Sequence, residues 1–444
     1  MDASQLNWLS ASDAARALRD GAITSEQLVE ACLARIREAE PQVQAWQFLD
    51  PGHALAQARA LDERRREGVP LGPLHGVPVG IKDIIDTADM PTEDGTPLHA
   101  GRMPMADATV VAMLRQAGAV ILGKTVTTEC AYYHPGKTRN PHNPEHTPGG
   151  SSSGSAAAVA AGMVPLALGS QTNGSVIRPA AFCGVYGFKP SHGLVPRGGI
   201  LRLSRALDHV GLFARSCEDI ALLAEQVAGY DERDPDTRPR ARPPFVASVA
   251  EAPPLEPHFG FIGGPTWERA TDETREAFEE LRGELGERVT ELPLPEPARE
   301  VLDWHGTIMA ADMAASFDLE WQRGRDQLSR PLHQLLERGR AVPALEYQKA
   351  LARIPLLNEA FAPLFERVDA ILTPAAPGSA PHGLGSTGDP SFCTLWTFCG
   401  MPALSLPLMR AANGLPLGVQ LVGARGMDAR LLRTARWLAG KVSA

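Results

Sequence analysis

Between about residue 70 and residue 125, short apolar runs alternate with a helical pattern: GVPVGIKD (Gly76–Asp83), TVVAMLRQAG (Thr109–Gly118) and AVILGKT (Ala119–Thr125). A strand buried on both faces reads as an unbroken apolar run, and a helix between two such runs is the crossover that parallel strands need. The pattern predicts an α/β chain with a large mixed β-sheet covered by helices on both faces. Further along, SAAAVAAGMV reads as a helix of small side chains that packs closely, and VPLALGS as a buried strand. GMPALSLPLMRAANGLPLGVQLVG reads as two strands of the same sheet joined across AANG.

The flanks are legible by their caps. Ser12 is placed as an N-cap and Gly21 as a stop, Thr24 and Gln27 have capping-box spacing, and Ser216 and Asp219 repeat it. FGFIG and ETREAFEELRGEL resume the strand and helix alternation. Residues 231–257, crowded with Pro and charge, read as a long surface excursion.

Composition excludes several classes. With 44% hydrophobic and 21% charged residues the chain is globular rather than disordered. A formal charge of −9 gives no footprint for nucleic acid, so small neutral ligands are the expected partners. No membrane span and no secretory leader are read, and the six cysteines (Cys32, Cys130, Cys183, Cys217, Cys393 and Cys399) lie in apolar surroundings without metal-ligand spacing. They read as reduced, buried thiols of a cytoplasmic protein.

Three stretches could carry chemistry. Lys82 lies among Val77, Val79, Ile81, Ile84 and Ile85; burial disfavours its charged form, and such a lysine can serve as a base, unless it snorkels outward or pairs with Asp83. The cluster TPGGSSSGSAAA runs straight into an apolar helix, which a flexible linker would not do. Gly150–Gly154 has the G-x-S-x-G form of a nucleophile elbow centred on Ser152, but the preceding RNPHNPEHTPG is not a strand, and no Gly-Lys-Ser/Thr follows to make a P-loop. In SQTNGSVIRPA, a glycine-assisted turn presents the successive backbone N–H groups of Thr172, Asn173, Gly174 and Ser175, which could surround an oxyanion; a plain strand-to-loop turn is the alternative.

Together these stretches resemble the amidase signature family, in GGSSSGSAAAVAAG and TNGSVIRPAAFCGVYGFKP. LHGVPVGIKD, GAVILGKT, TRNPHNPEHTPGG, ILTPAAP and the C-terminal pair of runs resemble family blocks in family order. The resemblance implies the family's fold in one domain over residues 1–444: N-terminal helices over 1–65, a catalytic core over 66–230, a more variable half over 231–370, and closing strands and helix over 371–444. It implies a Ser-Ser-Lys triad with Ser175 as nucleophile, Ser151 as the bridging serine that follows a cis peptide, and Lys82 as base. The oxyanion donors fall on Thr172 to Ser175, and no metal or organic cofactor is implied. Four positions depart from the family pattern: Gln171 where Asp is usual, Asn173 for Gly, Ile177 for Arg with Arg178 one place later, and Ser153 for Gly. These put in question the supporting bonds of Ser152, Gln171 and Arg178.

The family's pocket segments hold Cys130, Tyr132, Tyr133 and His134, then Trp396 and Phe398. They predict an apolar, ring-lined pocket for small uncharged amides with an apolar or aryl group, and for aryl carbamates; core packing is the alternative for the rings. A monomer or homodimer is expected. The rival readings are the amide-hydrolysing subunit of a tRNA-dependent amidotransferase, a silent binding protein on the same fold, and a cysteine amidase using Cys130 beside Glu129, or Cys183.

Overall fold

The computed structural model of the chain describes residues 3–442. Eleven strands form one mixed sheet: β1 (Trp46–Leu49), β2 (Pro78–Lys82), β3 (Val120–Thr125), β4 (Leu166–Gln171), β5 (Tyr186–Lys189), β6 (His209–Ala214), β7 (Phe259–Phe261), β8 (Val289–Glu291), β9 (Ala370–Pro374), β10 (Ala403–Arg410) and β11 (Pro416–Val422). Their order is β1-β3-β2-β4-β6-β5-β10-β11-β9-β7-β8. β3, β2 and β4 run parallel, the stretch from β4 to β9 is antiparallel, and β9, β7 and β8 are parallel again. Every residue of β2, β3 and β4 is buried, as the unbroken apolar runs require.

Helices cover both faces of this α/β sheet. The Ala-rich helix Ser153–Ala160 is entirely buried from Ser153 to Val159 and packs on β2, β3 and β4. Its closeness depends on Gly154, where a Cβ would come within 2.3 Å of the Ala45 carbonyl oxygen and the Val126 nitrogen. β10 and β11 pair antiparallel across the turn that contains Asn413 and Gly414. Towards the C-terminal side of the chain, helix Val301–Ser316 packs against helices Arg330–Arg340, Ala344–Phe365 and Ser391–Phe398. Among the described residues no helix is long and apolar enough to cross a membrane.

Two local readings are corrected. The first helix, Ala11–Asp20, is capped by Ser10, whose hydroxyl accepts from Asp13 N–H; Ser12 lies inside the helix and donates to Asp219 instead. The excursion after Asp231 is not all surface: it folds back through helix Phe245–Ala250, with Phe245 fully buried, and Asp234 holds Arg197.

Candidate active site

Lys82 ends β2, and its amine lies 2.7 Å from Ser151 Oγ and 2.8 Å from Ser170 Oγ on the neighbouring parallel strand β4. All three side chains are buried. Sequence reading did not find Ser170; its signal is alternation along β4, where Leu166, Leu168 and Ser170 share a face. Lys82 does not pair with Asp83, which lies 3.5 Å from the equally buried Lys124. Burial drives the Lys82 amine well below its ordinary value, with the charge of Asp208 opposing. Ser151 follows the cis peptide Gly150–Ser151, the one cis bond among the described residues. Arg178, wholly buried, donates to Gly150 O at 2.7 Å and to Thr387 Oγ1 at 3.1 Å, so it braces the peptide before Ser151.

β4 delivers the chain into the turn Thr172–Ser175, after which helix Ile177–Cys183 begins. Gln171 Oε1 accepts from Val176 N–H (2.8 Å) and Ile177 N–H (3.0 Å). The N–H groups of Asn173, Gly174 and Ser175 have no acceptor among the described residues. Donors left free at the start of a helix are suited to a developing anion. Ser175 follows them with its hydroxyl unpaired among the described residues and 8% of its surface exposed. Ser152, fully buried, bonds the Ser170 carbonyl and N–H through its hydroxyl, so it is a tie between loop and strand rather than an exposed elbow.

The turn is gripped from several sides. Asp208 accepts from Thr172 Oγ1 at 2.7 Å, and His305 lies 2.9 Å from Thr172 O. Asn173 donates to Tyr133 Oη at 3.0 Å, Thr394 donates to Asn173 Oδ1 at 2.7 Å, and Thr397 donates to Asn173 O. Burial pushes Asp208 up to about 6 and His305 down to about 4.

The family model described as Amidase matches residues 27–432. The chain belongs to the amidase signature family. It is 37% identical to a glutamyl-tRNA(Gln) amidotransferase subunit of Chloroflexus aggregans, covering 97% of this chain and 95% of that one. It is 35% identical to a putative amidase, AmiD, of Mycobacterium tuberculosis, covering 97% and 94%. Among solved structures, the peptide amidase of Stenotrophomonas maltophilia superposes with a TM-score of 0.86 at 29% identity, covering 98% and 97%.

Within this amidase fold the expected pocket residues separate. Tyr133 reaches the turn and stacks on Tyr132, ring centroids 4.4 Å apart. His134 is exposed, and its carbonyl accepts from Glu129 N–H. Cys130 is buried with φ 46°, and burial beside Glu129 holds its thiol well above its ordinary value, which makes it a poor nucleophile; Cys183 is likewise driven up by burial. Trp396 and Phe398 are core residues, packed on Phe361 and Trp304, and form no open wall. Their helix meets the site through its other face, Cys393 beside Gly174 and Thr394 and Thr397 on Asn173, since residues three and four apart share a helical face.

A cavity of about 380 Å³ opens beside Ser170, Thr172 and Asp208, and none of the six expected pocket residues lines it. Its wall mixes Ile200, Leu203 and Val210 with arginines. Arg197, Arg205 and Arg233 are paired with Asp234, Asp236 and Asp231; Arg202 makes no ion pair among the described residues.

Proposed function

We propose that the chain is a serine amidohydrolase that cleaves small uncharged amides bearing an apolar or aryl group, and aryl carbamates, through an acyl-enzyme on Ser175. The observation that carries the reading is the buried contact of Lys82 with Ser151, made by an amine that burial drives well below its ordinary value and that pairs with no carboxylate among the described residues. Neutral Lys82 takes a proton from Ser151 as Ser151 takes one from Ser175, and Ser175 Oγ attacks the carbonyl carbon. The oxygen that gains charge is met by the free N–H groups of the turn. The proton returns through Ser151 to the leaving nitrogen as the C–N bond breaks, and water then repeats the relay to release the acid.

Two features favour an uncharged substrate. Thr128, Tyr133, Thr387, Cys393 and Thr394, packed around Gly150 and the turn, carry no charge, and the charged neighbours Arg178 and Asp208 are engaged with Gly150 O and the Thr172 hydroxyl. Three of the four cavity arginines have their charge met by aspartates. The alternative is the amide-hydrolysing component of an assembly, favoured by the identity to the amidotransferase chain. Amine release by the isolated chain from an anilide, an aryl carbamate, benzamide and glutamine separates them. Cleavage of the anilide or carbamate is expected; efficient glutamine turnover with neither cleaved would reverse the assignment.

A further inference from the structure

We propose that His305 and Thr397 are positioning residues of the oxyanion site, each holding the carbonyl of one peptide in the turn so that the N–H of that same peptide is aimed at the reacting oxygen. The inference rests on the proposed reaction at Ser175. A peptide unit is planar, and in the trans form its C=O and N–H point in opposite directions. Both peptides concerned, Thr172–Asn173 and Asn173–Gly174, are trans. His305 fixes the first through Thr172 O, and Thr397 fixes the second through Asn173 O. The N–H groups of Asn173 and Gly174 therefore point away from these two side chains, and neither meets an acceptor among the described residues.

The hydrogen-bond chemistry is consistent at both ends. A carbonyl only accepts, so His305 must donate through Nε2, and burial keeps the imidazole neutral with a proton available for that nitrogen. Thr397 spends its single hydroxyl proton on Asn173 O, and its oxygen accepts from Gln171 Nε2 at 2.8 Å. The two pins come from different segments, helix Val301–Ser316 and helix Ser391–Phe398, and neither peptide can rotate without breaking its own pin. The first helix also grips Thr172 from its other side. Asp208, which accepts from the Thr172 hydroxyl, takes the N–H groups of Leu203 and Ser204, and Ser204 donates its hydroxyl to Asp312 on the helix that carries His305.

The test removes and restores each donor. His305→Leu and Thr397→Val should lower kcat about 10- to 100-fold with KM changed less than about threefold, since misplacing a donor by an ångström costs on that order. His305→Gln and Thr397→Ser, which keep a donor, should recover most of the loss. A phenylboronic acid, whose tetrahedral serine adduct places an oxygen where the oxyanion forms, should lose affinity in proportion to kcat. Melting temperatures monitor folding, and the conservative threonine pair keeps the test decisive where a histidine variant unfolds. A folded Thr397→Val chain with kcat and boronate affinity within about twofold of wild type would overturn the proposal, as would a fall in kcat with boronate affinity unchanged. Mapping a fluorophosphonate adduct by mass spectrometry tests the underlying reading separately. Labelling away from Ser175 sinks that reading, whereas labelling on Ser175 with unaltered boronate affinity in Thr397→Val sinks only the positioning roles.

Discussion

Lys82 meets two opposed demands. The proposed chemistry needs its neutral form at working pH, and burial favours that form by driving the amine well below its ordinary value. The same burial costs stability. A lysine whose folded value lies below its unfolded one binds fewer protons folded than unfolded between the two, so its penalty grows as pH falls through the unfolded value and is fully present below the folded one. Lys82→Met fills the site without that penalty. Its melting temperature should gain on the wild type as pH is lowered from about 10 to about 7, around the ordinary lysine value. Its turnover should drop by about 10³-fold or more and stay lost at alkaline pH, whereas the wild-type rate rises with pH and levels off below the ordinary lysine range. Ser175→Ala should match the loss of turnover with its melting curve unmoved. A Lys82→Met chain with near-normal rates would remove the triad from the mechanism, and a Ser175→Ala chain that keeps more than a few per cent would move the nucleophile elsewhere.

Gln171 shows how an element can be kept while its sequence departs from a family's habit. Helix Ile177–Cys183 has no side-chain cap from its own first turn, and Gln171 supplies one from the end of β4 by accepting two N–H groups. Gln171→Leu should therefore cost about 2–5 kcal/mol for two buried donors left unmet, read by denaturant unfolding, and lower turnover by loosening the turn. Gln171→Glu retains the acceptor and, measured at a pH low enough to protonate its buried carboxyl, should lose much less stability; equal losses there would mean that the amide matters through Thr397 alone. Local chemistry of this kind was legible where partners lie within a few residues. The capping box of Thr24 and Gln27 forms with both bonds present, and Gly21 ends its helix with φ 74°. It failed where two residues competed for one role, as Ser10 and Ser12 did, because both can cap and only tertiary contact with Asp219 decides. It failed again for SFCTLWTF, an apolar run without period, in which nothing local says that Thr394 and Thr397 face the turn while Trp396 and Phe398 face the core.

At the scale of the molecule, the partners that sequence reading missed are those joined by long separations. Ser170 meets Lys82 from the neighbouring strand β4, Asp208 meets Thr172 from the residue before β6, and His305 reaches Thr172 from 133 residues away. Motif spacing carries no information about such pairs, which exist only once the sheet order is known. The same long-range logic operates at His99, which bridges Asp94 at 2.8 Å and Glu320, on helix Asp318–Gly324, at 3.1 Å. Asp94 in turn accepts from Cys130 N–H through its carbonyl, so the bridge abuts the loop that carries Tyr133. Hydrogen bonds to the two carboxylates raise His99 to about 9. Burial draws Asp94 upward as well, and the proton is assigned to His99 because two carboxylates face that ring. A histidine raised in the folded state contributes stability that is complete below its unfolded value and is lost as pH rises through the folded one. The wild type should therefore melt higher than His99→Gln at pH 6, and the gap should close as pH rises through about 9. Added salt should narrow the gap only slightly, because the bridge is mostly buried. Melting curves of both chains across this range decide the matter: a gap that stays constant from pH 6 to 10 would show that the ring acts by packing, and a gap that widens with pH would reverse the sign assigned to the bridge.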